Sequence, residues 1–219
     1  MAHAAKLQEY YARRAAEYER IYHKPERQAE LALLKQLVGD HLAGRRVLEI
    51  ACGTGYWTEV IAPRARSVTA TDVNEEVLSV ARTKRFPPGR VQFLRADAYA
   101  PASIPGEFDA VYAGFWWSHI ARTRLADFLA AWHARLPRST RILFIDNNYV
   151  AGSSTPIAHA DENGNSYQLR RLDTGETFEV LKNFPTEAEL RAAVAPFAAG
   201  IDVRLFQYYW ALLYETQSK

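Results

Sequence analysis

One cysteine, Cys52, stands in a chain of 219 residues, and that scarcity excludes an internal disulfide and any cysteine-based zinc cluster. Charge of one dominant sign is missing as well. Lys and Arg number 27 against 25 Asp and Glu, a formal net charge of +2, and the arginines are scattered rather than gathered. That balance leaves no electrostatic footprint for nucleic acid, and the arginines read as a solvated surface. No apolar run reaches the length of a membrane span. The first residues mix Arg, Lys and Glu with alanines and tyrosines and lack the apolar core of a signal peptide. The expectation is a cytoplasmic protein with neither nucleic acid nor membrane as a partner. Oligomeric state leaves no mark on the sequence, and internal repeats are absent.

What is there is ordinary globular composition, 48% hydrophobic and 24% charged. The length suits one well-buried α/β domain and is too short for two of ordinary size. The chain is organised around Val47–Thr58, VLEIACGTGYWT. Val47, Leu48 and Ile50 read as a short buried strand, the loop after it carries Gly53 and Gly55, and Tyr56–Ile61 is a helix stopped by Pro63. A strand, a glycine turn and a helix in that order bring backbone N–H groups close to a small ligand.

On either side the pattern alternates. Ser67–Asp72, Val91–Arg95, Phe108–Gly114 and Arg141–Ile145 read as strands, with helices over Glu75–Arg85, capped by Asn74, and Arg122–Leu136 between them. Such alternation implies a parallel sheet with helices on both faces. Ligands then gather at the carboxyl ends of the strands. Those ends are Gly53 and Gly55, Asp72, Asp97, Gly114-Phe115 and Asp146. Upstream, Leu7–Tyr22 reads as one helix with Tyr11, Ala15, Tyr18 and Tyr22 at helical spacing; Pro25 separates it from a second helix, Glu26–Leu42. Downstream, Ala151–Asn165 reads as loop, and Ser166–Leu172 and Glu176–Lys182 as a hairpin around Asp173-Thr174-Gly175. A last helix opens on the capping box Thr186/Glu189. Ile201–Glu215 is strand-like, with a bend placed near Phe206–Tyr208 although no Gly or Pro marks it.

The run E-x-A-C-G-T-G from Glu49 to Gly55, followed by Asp72 and by Asp97-Ala98, resembles motif I and its successors in the class I S-adenosylmethionine-dependent methyltransferases. The resemblance covers roughly Arg45 to Asp146. It implies a Rossmann-like, seven-stranded, mostly parallel sheet with an antiparallel last strand and helices on both faces. It implies S-adenosylmethionine as cofactor and methyl transfer to O or N of a small-molecule acceptor. Glu49, Cys52, Gly53 and Gly55 would then serve its methionine end. Asp72 and Val73 would serve the ribose, whose hydroxyls a carboxylate can accept. Asp97 and Ala98 would serve the adenine, with Phe115 and a lid tyrosine, Tyr11, as further contacts. Residues 1–44 are expected to form the lid and first scaffold helix. Residues 45–219 form the core, with 147–184 as a substrate cap.

Phe115-Trp116-Trp117-Ser118-His119 follows the fourth strand, where this fold meets its acceptor. Trp116, Trp117 and Tyr149 are the expected acceptor wall. His119 titrates in the range of a general base, and Asp146 is a second candidate for orienting or deprotonating the acceptor. Asp146-Asn147 resembles the Asp-Asn of metal-dependent catechol O-methyltransferases, but Ala113-Gly114 occupies the place of those enzymes' other acid, so no metal is expected. The Asn/Asp-Pro-Pro-aromatic motif of amino-directed nucleobase methyltransferases is absent from Ala113–Trp116. Two alternatives stay open. An NAD-dependent oxidoreductase shares Asp72, though Thr58 in place of a third glycine, and Glu49, speak against it. A non-catalytic S-adenosylmethionine-binding protein would share every cofactor residue.

Overall fold

The computed structural model describes residues 2–217, with side chains from residue 6 onward. Its centre is β1 (Arg46–Ile50), paired in parallel with β2 (Ser67–Asp72) on one side and β4 (Ala110–Gly114) on the other. Beyond them lie β3 (Val91–Arg95) and β5 (Arg141–Asn147), and past β5 come β10 (Tyr209–Thr216) and β9 (Ala198–Leu205), giving the order β3-β2-β1-β4-β5-β10-β9. The chain winds outward from β1 to β3, then returns to β4 and winds the other way. That reversal opens a crevice at the carboxyl ends of β1 and β4.

Both faces of the sheet are covered. Period-two alternation sends Val47 and Glu49 to one face and Leu48 and Ile50 to the other. The first face packs Leu34 and Val38 of α2 (Gln28–His41), Ile61 of α3 (Tyr56–Ile61) and Leu78 of α4 (Glu75–Arg82). The second packs Phe128, Leu129 and Trp132 of α5 (Arg122–Arg135) and Leu190 of α6 (Glu187–Val194). Each large apolar side chain so buried contributes about 1.5–3 kcal/mol. Among the described residues no helix is long and apolar enough to cross a membrane.

The sheet is completed by β9 (Ala198–Leu205) and β10 (Tyr209–Thr216); β10 runs antiparallel to both β5 and β9, as the resemblance implies. Their bend falls at residues 206–208 without glycine or proline because distant side chains supply the turn's partners. Asn148 Nδ2 donates to the carbonyls of Phe206 and Tyr209 at 2.7 and 2.9 Å, while Glu30 accepts from the N–H groups of Gln207 and Tyr208, both at 2.9 Å. The turn's backbone groups are thereby satisfied.

The N-terminal region departs from the expected single helix. α1 spans Ala2–Arg13, and the chain then tightens through i→i−3 bonds (Ala15 to Ala12, Glu17 to Arg14) into a 3-10 turn at Tyr18–His23. Aromatic packing overrides helical continuity here. Tyr22 stacks on Tyr56 at 3.8 Å between ring centroids, and its hydroxyl accepts from Trp57 Nε1 at 3.2 Å. Asn74 also departs from expectation. It stands at the N-cap position of α4 without a capping side-chain bond, because its Nδ2 reaches across to the carbonyl of Gln8 in α1 at 3.1 Å.

Between β5 and α6, β6 (His159–Ala160), β7 (Ser166–Arg171) and β8 (Thr177–Leu181) form a separate antiparallel sheet. The two-residue β6 has no sequence pattern to announce it. This small sheet packs against α1 in a core of its own, built from Leu7, Tyr10, Leu172 and Val180. The N-terminal helix and the insertion thus meet above the crevice.

Candidate active site

The loop leaving β1 holds three residues at positive φ: Ala51 (53°), Gly53 (56°) and Gly55 (79°). The two glycines serve different ends. A Cβ on Gly55 would lie 3.1 Å from the Cβ of Ala81, so that position lets α3 approach α4. A Cβ on Gly53 would find nothing nearer than the Tyr18 ring at 3.7 Å, so its backbone faces open space. Gly53 N–H donates to Asp72 Oδ2 and Asn74 N–H to Asp72 Oδ1, both at 2.9 Å, which fixes the carboxylate at the end of β2. Burial raises the Asp72 carboxyl above its ordinary value, against the pull of those N–H groups.

Gly53 opens on a cavity of about 470 Å³. Asp72, Val73, Asp97, Ala98, Phe115 and Trp116 line it, and Tyr11 and His119 stand at its inner end. Glu49, Cys52 and Gly55 do not reach it. Glu49 lies beneath the loop, 1% exposed, accepting from Thr58 Oγ1 at 2.6 Å, and burial pushes its carboxyl up to about 8. Cys52 is buried with its thiol driven well above the ordinary range by desolvation. These three brace the loop from below.

A second cavity, of about 300 Å³, adjoins the first and shares Tyr11, Tyr18, Phe115 and His119 with it. At this common wall His119 is fully engaged. Its Nδ1 lies 2.6 Å from the Leu181 carbonyl and its Nε2 lies 2.8 Å from the Tyr11 hydroxyl. A carbonyl only accepts, so Nδ1 carries the proton and Nε2 accepts from Tyr11. Burial first, then the charges of Lys182 and Arg170, hold His119 well below its usual titration range, so it stays neutral at physiological pH. Burial raises the Tyr11 hydroxyl, and Tyr18 beside it is pushed up to about 12.

Asp146 lines neither cavity. Fully buried, it accepts from Ser118 N–H at 2.9 Å, Asn147 N–H at 2.7 Å and Lys182 Nζ at 2.8 Å. Its acceptor capacity is spent on holding Lys182, which does line the second cavity. Trp117 lies in the core, edge-on to Phe144 and Trp210. Tyr149 is exposed, and only its neighbour Phe184 reaches the second cavity.

Sequence reasoning missed the cations of the second cavity. Arg14 and Arg27 come from the N-terminal region, Arg170 and Lys182 from the insertion, and none of them is a solvated surface charge. Arg27 is 7% and Lys182 4% exposed. The available signal was local: Arg14 follows Tyr11 by one helical turn, and Arg170 follows Gln168 by one strand period.

Residues 47–138 match the model of a family described as a methyltransferase domain. Over 72 residues the chain is 40% identical to the ubiquinone biosynthesis O-methyltransferase of Azotobacter vinelandii, covering 32% of this chain and 31% of that protein. Over 85 residues it is 36% identical to the magnesium-protoporphyrin O-methyltransferase of Rhodobacter capsulatus, covering 37% of each. The chain spans about a third of the length of these curated relatives. Its fold is similar throughout to that of DhpI in complex with SAH, with a TM-score of 0.78 at 24% identity over 98% of this chain and 97% of that one. The matched segment begins in β1 and takes in the glycine loop at the sheet's switch point, β2, β3, β4 and α5, so residues 47–138 are similar to a methyltransferase domain built on this sheet.

Proposed function

We propose that the protein transfers a methyl group from S-adenosylmethionine to a small-molecule acceptor. One observation carries this reading: two cavities meet end to end across Tyr11, Phe115 and His119, one edged by Gly53, Asp72 and Asp97, the other by polar side chains of the insertion.

The first cavity suits the cofactor on the chemistry of its lining. Asp72 supplies a carboxylate that can accept from a ribose diol, and Asp97, whose Oδ1 already accepts from Tyr99 N–H at 2.8 Å, one that can accept from an adenine amine. The absence of a Cβ at Gly53 lets the ligand lie against the backbone. When bound, S-adenosylmethionine supplies an electrophilic sulfonium methyl. The chain's own residues do the rest. α1 and the β7–β8 hairpin supply walls to both cavities, and their closure over bound ligands would exclude water and strengthen each electrostatic contact inside. Phe115 and Tyr18 wall the junction. Tyr11 and the neutral His119 orient the acceptor there. Asp146 acts through Lys182 as its buried counter-ion.

Deuterated-methyl S-adenosylmethionine, offered with a panel of small acids, alcohols and amines and read by mass spectrometry, tests the proposal. A labelled product is expected with at least one class. Cofactor binding with no transfer to any of them would point to the non-catalytic reading.

A further inference from the structure

Resting on that reading, we infer that the acceptor is a small organic oxyanion, held by its negative group in the second cavity among Arg14, Arg27, Arg170 and Lys182. The lining of that cavity carries six cationic side chains, these four with Lys24 and Arg171, and no carboxylate. A near-neutral protein has placed a one-signed cluster around this cavity. Among the described residues, only Lys182 of the four has a carboxylate partner, Asp146 at 2.8 Å.

The other three donate to neutral oxygens. Arg14 Nη1 donates to the Tyr10 hydroxyl at 2.6 Å. Arg27 reaches Ser153 Oγ through Nε and Nη2 at 3.0 and 2.9 Å, and Arg170 reaches Gln168 Oε1 through the same pair at 3.2 and 2.8 Å. Two other acids act on the cluster from the outside. Glu26 accepts from Ser153 Oγ at 2.7 Å behind Arg27, and Asp173 is paired with Arg20 at 2.5 Å on the exposed side. Like charges lining one cavity, three of them with no carboxylate in contact, are tolerated where an anion arrives to complete them. Guanidinium groups with paired parallel donors suit a carboxylate, phosphonate or phosphate. A volume of about 300 Å³ limits the acceptor to a small molecule.

The chemistry follows from the charge. A lone pair on the acceptor's anionic oxygen forms the new C–O bond, the C–S bond breaks with its electron pair going to sulfur, and no proton is released. The product is an ester, and the sulfonium charge and the anion's charge are cancelled together. A base is then unnecessary, which agrees with His119 being occupied by Tyr11 on one nitrogen and Leu181 on the other.

The cofactor's own carboxylate is the rival claimant for these cations, and calorimetry separates the two. The full chain, saturated with S-adenosylhomocysteine, is titrated with benzoate and phenylphosphonate as oxyanion probes and with benzyl alcohol and benzylamine as controls of similar size. The expected result is binding of one or both acids, at least tenfold tighter than either control, weakened tenfold or more by Arg170→Gln and partly restored by Arg170→Lys. S-adenosylhomocysteine affinity of Arg170→Gln stays within twofold of wild type. The relative strength of the two acids distinguishes a carboxylate from a phosphorus oxyanion. Equal binding of the neutral alcohol or the amine, or no binding of either acid, overturns the inference. So does an Arg170→Gln variant that loses S-adenosylhomocysteine while keeping the acids. Failure of the wild type to bind S-adenosylhomocysteine at all would instead strike the methyltransferase reading, whatever the acids do.

Discussion

Replacing Asp146 by Asn changes one charge and little else, and the structure assigns the change a large cost. The Asp146 carboxylate is 0% and Lys182 4% exposed, with Nζ to Oδ1 at 2.8 Å. Desolvation already lowers the lysine's affinity for its proton, and Asp146 is the main force opposing that. In Asp146→Asn the nearly buried ammonium faces an amide in place of its counter-ion. Breaking a buried pair from one side costs about 3–5 kcal/mol. For a chain of this size each kcal/mol moves Tm by about 2–4 °C, so a drop of roughly 6–20 °C is expected. Urea unfolding followed by tryptophan fluorescence measures it, with an unchanged m-value as the check that the denatured state is the same. The double variant Asp146→Leu/Lys182→Met removes both charges and should recover most of the loss. A cost under about 1 kcal/mol for Asp146→Asn, or a collapse of turnover with stability intact, would refute the anchoring role and return Asp146 to the position of a reacting base.

Other expectations are as direct. Glu49 binds its proton more tightly when folded, at about 8 against a usual 4.5, so its contribution to stability is complete below pH 4.5 and is lost as pH rises to 8. Glu49→Gln should therefore gain on wild type across that window, by up to about 1.4 kcal/mol per pH unit, in urea melts run at several pH values. Gly55→Ala forces a left-handed φ of 79° and a 3.1 Å contact on Ala81, and should cost about 1–2 kcal/mol or more in the same assay. Tyr11→Phe frees His119 Nε2 without touching the first cavity's carboxylates. Turnover or its pH profile should change while calorimetric S-adenosylhomocysteine affinity stays near wild type.

The sheet was legible because its signals are local. Glycines and acids sit within a residue or two of each strand's end, helical and strand periods alternate cleanly, and the Thr186/Glu189 box closes as written, with Glu189 Oε2 accepting from Thr186 N–H at 2.7 Å. The site's polar half was not legible, because its contacts are remote in sequence. Tyr11 meets His119 across 108 positions, and Lys182 meets Asp146 across 36. Arg170 lies on a strand whose polar alternation reads as a solvent face, and only the docking of α1 against the small sheet covers it. The same remoteness hid the partners of the β9–β10 turn, Asn148 and Glu30. Helical spacing carried Leu7–Tyr22 as one element because nothing in that stretch announces Tyr22's stacking partner, Tyr56.

Calorimetric titration of the wild-type chain and Asp72→Ala with S-adenosylhomocysteine, and of wild type with NAD, tests the central claim most directly. The account predicts saturable one-site binding of S-adenosylhomocysteine and none of NAD. It predicts weakening in Asp72→Ala by about 1.5–3 kcal/mol, the usual worth of a charge-assisted hydrogen bond. Binding of NAD in preference to S-adenosylhomocysteine, or an unchanged affinity in Asp72→Ala, would contradict it.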